Sequence, residues 1–185
     1  MRFACTMAAG RGDTDMVLFS LAKALSRQCV KTVGTVQINS AGDCDGPCDM
    51  DVRILPNGPD IRISQSLGKH AKGCRLDPEA LEIAVQNVAA RLERGADCLI
   101  VNKFGKHEAN GRGFRDVIAQ AISRNIPVLV GLNALNERSF RAFVGADCTT
   151  LPPDLNSLKN WITSQVGIPP VAAPAGIADF DIPAA

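Results

Sequence analysis

At 185 residues, 46% of them hydrophobic, the chain is long enough for one good core and short for two. Its 20 basic and 19 acidic residues leave a net charge of +1, which excludes the basic face that general nucleic-acid binding needs, and 4% aromatics without a tyrosine remove the usual base-stacking platforms. No run reaches the ~18 apolar residues of a membrane span, and the amino terminus lacks the apolar core and cleavage site of a signal peptide, so a cytoplasmic chain without membrane or nucleic-acid partners is expected.

In chain order, Arg2 to Met7 reads as a first strand and Ala8 to Gly12 as its turn into a helix that begins near Asp13 and lasts to about Arg27, with Val17, Leu18, Leu21, Ala22 and Leu25 on one face. Lys31 to Asn39 is a second strand, followed by a Gly-, Asp- and Cys-rich loop from Ser40 to Asp51. Val52 to Leu55 and Ile61 to Ser64 alternate around Pro56-Asn57-Gly58-Pro59 as a hairpin does. A loop from Gln65 to Arg75 leads to a helix with Asp77 as N-cap, Pro78 at its first position and Leu81, Ala84, Val85, Val88 and Leu92 on its buried face.

Cys98 to Val101 has the length and β-branching of a buried strand, and it stops at Asn102 in a polar, glycine-punctuated loop. Beyond it the period becomes helical through Phe114, Val117, Ile118, Ala121 and Ile122, which sets Gly111-Arg112-Gly113 at or just before a helix start. Pro127 to Leu132 is another buried strand, Asn136 caps a short helix over Phe140 and Phe143, Cys148 to Leu151 is an edge strand, and Asp154 caps a last helix through Leu155, Leu158, Trp161 and Ile162. Alternating strands and helices predict a single α/β domain over residues 1–166, a three-layer fold on a mostly parallel sheet with an inserted β-hairpin. Residues 167–185, rich in proline and alanine, are expected to form an extended arm through which the chain could self-associate.

Two stretches carry chemistry. Strand, loop and helix at Asp97 to Asp116 form the unit in which α/β sheets place ligands, because a helix start there offers free N–H groups to an anion. Lys103, Lys106 and Arg112 add charge, His107 and Glu108 can move a proton or hold a metal, and the ligand set expected is Asn102, Lys103, Gly105, Lys106, His107, Glu108, Gly111, Arg112, Gly113 and Arg115. Its ligand would be a small inorganic anion or metal–oxygen species. The second stretch is Cys44-x3-Cys48 with His70-x3-Cys74, four ligands that suit tetrahedral zinc, while the thiolates also suit an iron–sulfur cluster or a sulfur-ligated molybdenum or tungsten centre. Seven cysteines in such a chain read as metal ligands, redox groups or core residues, and Cys5, Cys29, Cys98 and Cys148 look like the last of these.

The glycine-rich turn at Gly10 to Asp15 invites a phosphate-loop reading, which needs G-x-x-x-x-G-K-[S/T]. Here Asp13, Thr14 and Asp15 follow Gly12, and no lysine comes before Lys23. A strand such as Cys98 to Val101 would end in the aspartate that holds magnesium, and Asn102 stands there instead.

The runs CDMD at Cys48 to Asp51, ISQSLG at Ile63 to Gly68, GCRLDPEAL at Gly73 to Leu81 and NKFGKHEANGRGFRD at Asn102 to Asp116 resemble a bacterial family known as a domain of unknown function. Its members are often encoded near molybdate ABC-transport genes and sometimes labelled nucleoside triphosphatases. The resemblance spans about Arg2 to Trp161. More distantly the layout is similar to small P-loop nucleoside triphosphatases, whose second motif, D-E-x-G-x-x-E, falls on Asn102, Lys103, Gly105 and Glu108. The resemblance implies a P-loop-NTPase-like fold and molybdenum-related oxyanion handling, with a molybdenum or tungsten oxyanion as ligand. Without the lysine and the aspartate, the expectation is a non-hydrolysing binding protein; the alternatives are a nucleotide hydrolase or phosphotransferase with a degenerate P-loop, and a zinc-stapled structural or regulatory module.

Overall fold

A computed structural model describes residues 2–40, 49–65, 75–145 and 147–168. Seven strands form one sheet: β1 (Phe3–Thr6), β2 (Thr32–Ser40), β3 (Asp49–Leu55), β4 (Asp60–Arg62), β5 (Cys98–Val101), β6 (Val128–Gly131) and β7 (Thr149–Leu151). Their order is β4-β3-β2-β5-β6-β1-β7. β2, β5, β6, β1 and β7 run parallel, and β3 and β4 extend the β2 edge as an antiparallel hairpin. The fold is the mostly parallel α/β arrangement that the alternation of strands and helices predicts.

Period-two alternation in fully buried strands sends each strand into two cores. Phe3, Cys5, Leu99, Val101, Val128 and Val130 point to one face. There they meet α2 (Pro78–Glu93), α4 (Arg115–Ser123) and α5 (Glu137–Val144), through residues such as Leu81, Ile118 and Phe140. Ala4, Cys98, Ile100 and Leu129 point to the other face, covered by α1 (Asp13–Arg27) and α6 (Leu155–Val166) through Leu18, Leu21, Leu25, Leu158 and Ile162. Each such aliphatic or aromatic side chain, fully buried, contributes about 1.5–3 kcal/mol, so both faces hold the sheet in place.

The helix starts follow the sequence. Asp77 accepts from Glu79 N and Ala80 N, and Asp154 accepts from Ser157 N. Four details differ. Asp49 to Asp51 belong to β3, because Asp49 and Asp51 pair with Arg62 across the hairpin and make strand of what reads as loop. Asn133 rather than Asn136 is the side-chain cap before α5, accepting from Asn136 N at 3.1 Å. Cys29 is exposed at φ 57°, in the turn after α1, and so is not a core residue; Cys5 and Cys98 are buried. A short helix, α3 (Lys106–Ala109), lies inside the central loop. The arm beyond Ile168 lies outside the described residues.

Candidate functional site

The parallel strands β1, β2, β5 and β6 end on one edge of the sheet, and the sequence there turns polar: Thr6 into the glycine-rich loop, Asn39, Asn102 and Asn133. In the glycine-rich loop, Ala8 N–H donates to Thr14 Oγ1 at 2.9 Å and Asp13 N–H to the Gly10 carbonyl at 3.4 Å. The N–H groups of Ala9, Gly10, Arg11 and Gly12 have no protein acceptor among the described residues. The Asp13 carboxylate folds back on the loop, so that a Cβ on Gly10 would overlap it. A negative group thus sits where a phosphate loop carries its lysine.

The cation comes from elsewhere. Lys103 Nζ lies 3.3 and 3.4 Å from the two carboxylate oxygens of Asp15, which is buried in the first turn of α1. Asn39 Nδ2 donates to the same carboxylate at 2.7 Å, and Gln37 Nε2 donates to Asn39 Oδ1 at 2.7 Å, a chain of polar contacts from β2 to β5. A cavity of about 310 Å3 lined by Arg11, Gly12, Asp15, Gln37 and Asn39 opens beside this chain.

Asn102 is 2% exposed, and neither its Oδ1 nor its Nδ2 has a hydrogen-bond partner among the described residues. It lies under the glycine-rich loop: a Cβ on Gly131 would stand 3.1 Å from Thr14 Cγ2 and 3.3 Å from Asn102 Oδ1. Glycine at 131 is what lets β6, Thr14 and Asn102 approach this closely.

The rest of the predicted ligand loop is drawn into structure. Phe104 is fully buried against Phe140 and Phe143, at ring-centroid distances of 5.2 and 5.8 Å, and its N–H donates to the Gly131 carbonyl at 3.0 Å. Glu108, at the third position of α3, accepts from Gly105 N at 2.8 Å and from Phe114 N at 3.2 Å. Burial pushes its carboxyl upward, with the N–H groups of Gly105 and Phe114 pulling the other way. His107 Nε2 lies 3.2 Å from Glu82 Oε1, and that oxygen also accepts from Gly113 N at 3.2 Å. The N–H groups around Gly113, expected to greet an anion, thus donate to Glu82 and Glu108. The Arg115 guanidinium sits 4.3 Å from the Phe143 ring centroid. Lys106, Gly111 and Arg112 face solvent. Of the predicted set, Lys103 reaches Asp15 at the start of α1, Glu108 braces the N–H groups of Gly105 and Phe114, and His107 and Gly113 N both meet Glu82 of α2.

Sequence reading missed Asp15 and Asn39 as members of this site. Asp15 looks like an ordinary helix-start residue, and only its burial on the inner face of α1, between Thr14 and Leu18, separates it from one. Cys44, Cys48, His70 and Cys74 lie outside the described residues, as does the expectation that Cys48 and Cys74 converge.

Three comparisons bear on the family and the fold. Residues 3–161 match the family described as Protein of unknown function (DUF2478). The molybdenum import ATP-binding protein ModC 2 of Bradyrhizobium diazoefficiens (strain USDA 110) is 35% identical over 163 residues, 86% of this chain, and the chain spans 18% of that protein's length. Among solved structures, the solution structure of a human cancer-related nucleoside triphosphatase superposes with a TM-score of 0.55 over 91% of this chain and 95% of that one, at 17% identity, which is a likeness of fold. The chain belongs to the DUF2478 family and has the α/β fold of a P-loop nucleoside triphosphatase.

Proposed function

We propose that this family member is a non-hydrolysing P-loop-like module that binds molybdate, tungstate or a related metal–oxygen anion in the cytoplasm, as part of molybdenum homeostasis. The observation that carries the reading is the reach of Lys103 to Asp15: a lysine from the loop after β5 stands at the start of α1, beside a glycine-rich loop that lacks its own. An ammonium has three protons, and the Asp15 carboxylate needs only one or two of them. The remainder, with the N–H groups of Arg11 and Gly12, supplies charge-assisted donors to a compact oxyanion. Lys106 and Arg112, exposed on the same loop as Lys103, add long-range attraction. The name of the molybdenum import relative supports the choice of anion.

Non-hydrolysis rests on charge and on occupied groups. Asp13 stands where a phosphate loop carries the lysine that bridges the terminal phosphates, so that cation is missing for a triphosphate chain, and the neutral amide of Asn102 is a poor magnesium ligand. Both Glu108 oxygens accept backbone N–H groups, and His107 is tied to Glu82, so neither candidate base faces the loop freely.

Calorimetry with molybdate, tungstate, sulfate and phosphate tests the reading on wild type and Lys103→Ala. Micromolar heats for the metal oxyanions, weakened at least tenfold in the variant, are expected. Equal, negligible heats for all four anions overturn it, and steady ATP or GTP hydrolysis lost in Glu108→Gln would favour the phosphohydrolase instead.

A further inference from the structure

A second cavity, of about 360 Å3, opens between α1 and the β2–β3 strands and shares Phe19 as a wall with the cavity beside the glycine-rich loop. Its floor is Ala22, Val36 and Leu55, each less than a tenth exposed. Its rim carries Lys23, Arg27 and Arg53, and among the described residues no carboxylate lines it. The Phe19 ring gathers two of these cations, with Lys23 Nζ 4.5 Å and the Arg53 guanidinium 5.7 Å from its centroid. Arg53 is held from outside by a two-bonded pair with Asp60, 2.7 Å at each contact. Lys23 and Arg27 have no acidic partner among the described residues.

Lys23 and Arg27, whose charges no described carboxylate offsets, repel one another at the rim, and an anion placed between them relieves that repulsion. We propose that this cavity binds an aromatic phosphomonoester, its phosphate among Lys23, Arg27 and Arg53 and its ring on the apolar floor beside Phe19. Two cations without an acidic partner among the described residues, with the Arg53 nitrogen left over from its Asp60 pair, suit a dianion better than a single carboxylate, and the Arg27 guanidinium fork matches phosphate oxygens in shape. The floor side chains are aliphatic, with Ser26 also in the lining, and a flat ring buries its surface on that floor and meets Phe19 edge or face. The volume falls within the range of small-molecule sites, roughly 300–1,000 Å3. This site is separate from the Lys103 site and does not depend on that reading.

The test is calorimetry on the full chain with phenyl phosphate, adenosine monophosphate, inorganic phosphate and benzoate. Lys23 and Arg27 are exposed, so Lys23→Ala and Arg27→Ala should melt like wild type, and Phe19→Leu keeps an apolar wall. Both aromatic phosphates should bind more tightly than inorganic phosphate or benzoate. Affinity should fall at least tenfold in each cation variant and fall less in Phe19→Leu. Whichever aromatic phosphate binds better, the order identifies the ring the site prefers and supports the proposal. Inorganic phosphate binding as tightly as phenyl phosphate, or millimolar aromatic phosphate producing no heat, or the Lys23→Ala/Arg27→Ala double variant binding like wild type, would each overturn it.

Discussion

The Asp15 carboxylate and the Lys103 ammonium, 88 positions apart in the chain, meet at 3.3 Å across the carboxyl edge of the sheet. Asp15 is 4% exposed in its side chain and Lys103 30%, so the pair is buried on one side only. Lys103→Met strands the carboxylate with Asn39 as its remaining donor and is expected to destabilise the fold by about 1–3 kcal/mol, below the full cost of orphaning a deeply buried charge because solvent reaches the lysine side. Asp15→Asn/Lys103→Met, which removes both charges, should recover part of that loss. Urea unfolding of the two single variants and the double variant measures the coupling, and simple additivity would show that the pair is incidental.

Gly113 and Gly111 make a controlled comparison. Both have positive φ, 60° and 85°, but a Cβ on Gly113 would overlap Glu108 Oε1, whereas nothing lies within 4 Å of one on Gly111. Gly111→Ala should cost about 1 kcal/mol, the left-handed strain alone, and Gly113→Ala about 2–4 kcal/mol, because it also breaks the brace between α3 and α4. Equal losses in thermal unfolding would mean that Glu108 moves aside without cost.

The strands and helices were legible because periodicity reports burial: Leu99 and Val101 against Cys98 and Ile100 is a two-sided strand in sequence and in space. The loop after β5 was legible as a site by its charges but not in its detail. Phe104 interrupts a polar run and reads as an exposed exception, yet it fills the space between Phe140 and Phe143, which fixes where Lys103 can point. Glu82 takes the Gly113 N–H from a helix 31 positions earlier, a partner that no local pattern signals. Asp15 failed for a related reason: a first-turn aspartate is favourable to any helix, so its sequence context does not distinguish a solvated carboxylate from a buried one.

Glu108 should give the stability a definite pH dependence. Burial raises its carboxyl above the ordinary glutamate value of about 4.3. The folded chain therefore holds that proton more tightly than the unfolded chain, and its contribution to stability is fully present below the unfolded value and declines as pH rises through the folded one. Glu108→Gln cannot ionise, and its amide N–H clashes with one of the two backbone donors, at Gly105 or Phe114. The stability advantage of wild type over Glu108→Gln should be larger at pH 4 than at pH 7. A difference that stays flat in urea unfolding at the two values would mean that Glu108 is as easily ionised when folded as when unfolded.

Cys5 and Cys148 form a second titrating pair, across the β1–β7 edge. Cys5 pairs with Thr150 in register, so Cys148, two positions earlier, shares its face of the sheet. The neighbouring Cys148 thiol lowers the Cys5 value from its usual 9.0 to about 7, with burial opposing and Thr150 and Arg141 assisting; Cys148 is pushed upward in return. A group that ionises more readily when folded stabilises the fold above its unfolded value and loses that contribution as pH falls through about 7. Wild type should therefore gain stability between pH 7 and 9 from this pair. Cys148→Ala removes that neighbour, and should return Cys5 toward its ordinary value and flatten the gain. Native thiolate absorbance, taken as the difference between wild type and Cys5→Ala across that range, reads the titration directly. If the difference spectrum rises at the same pH with and without Cys148, Arg141 and Thr150 rather than the paired thiol hold the Cys5 thiolate.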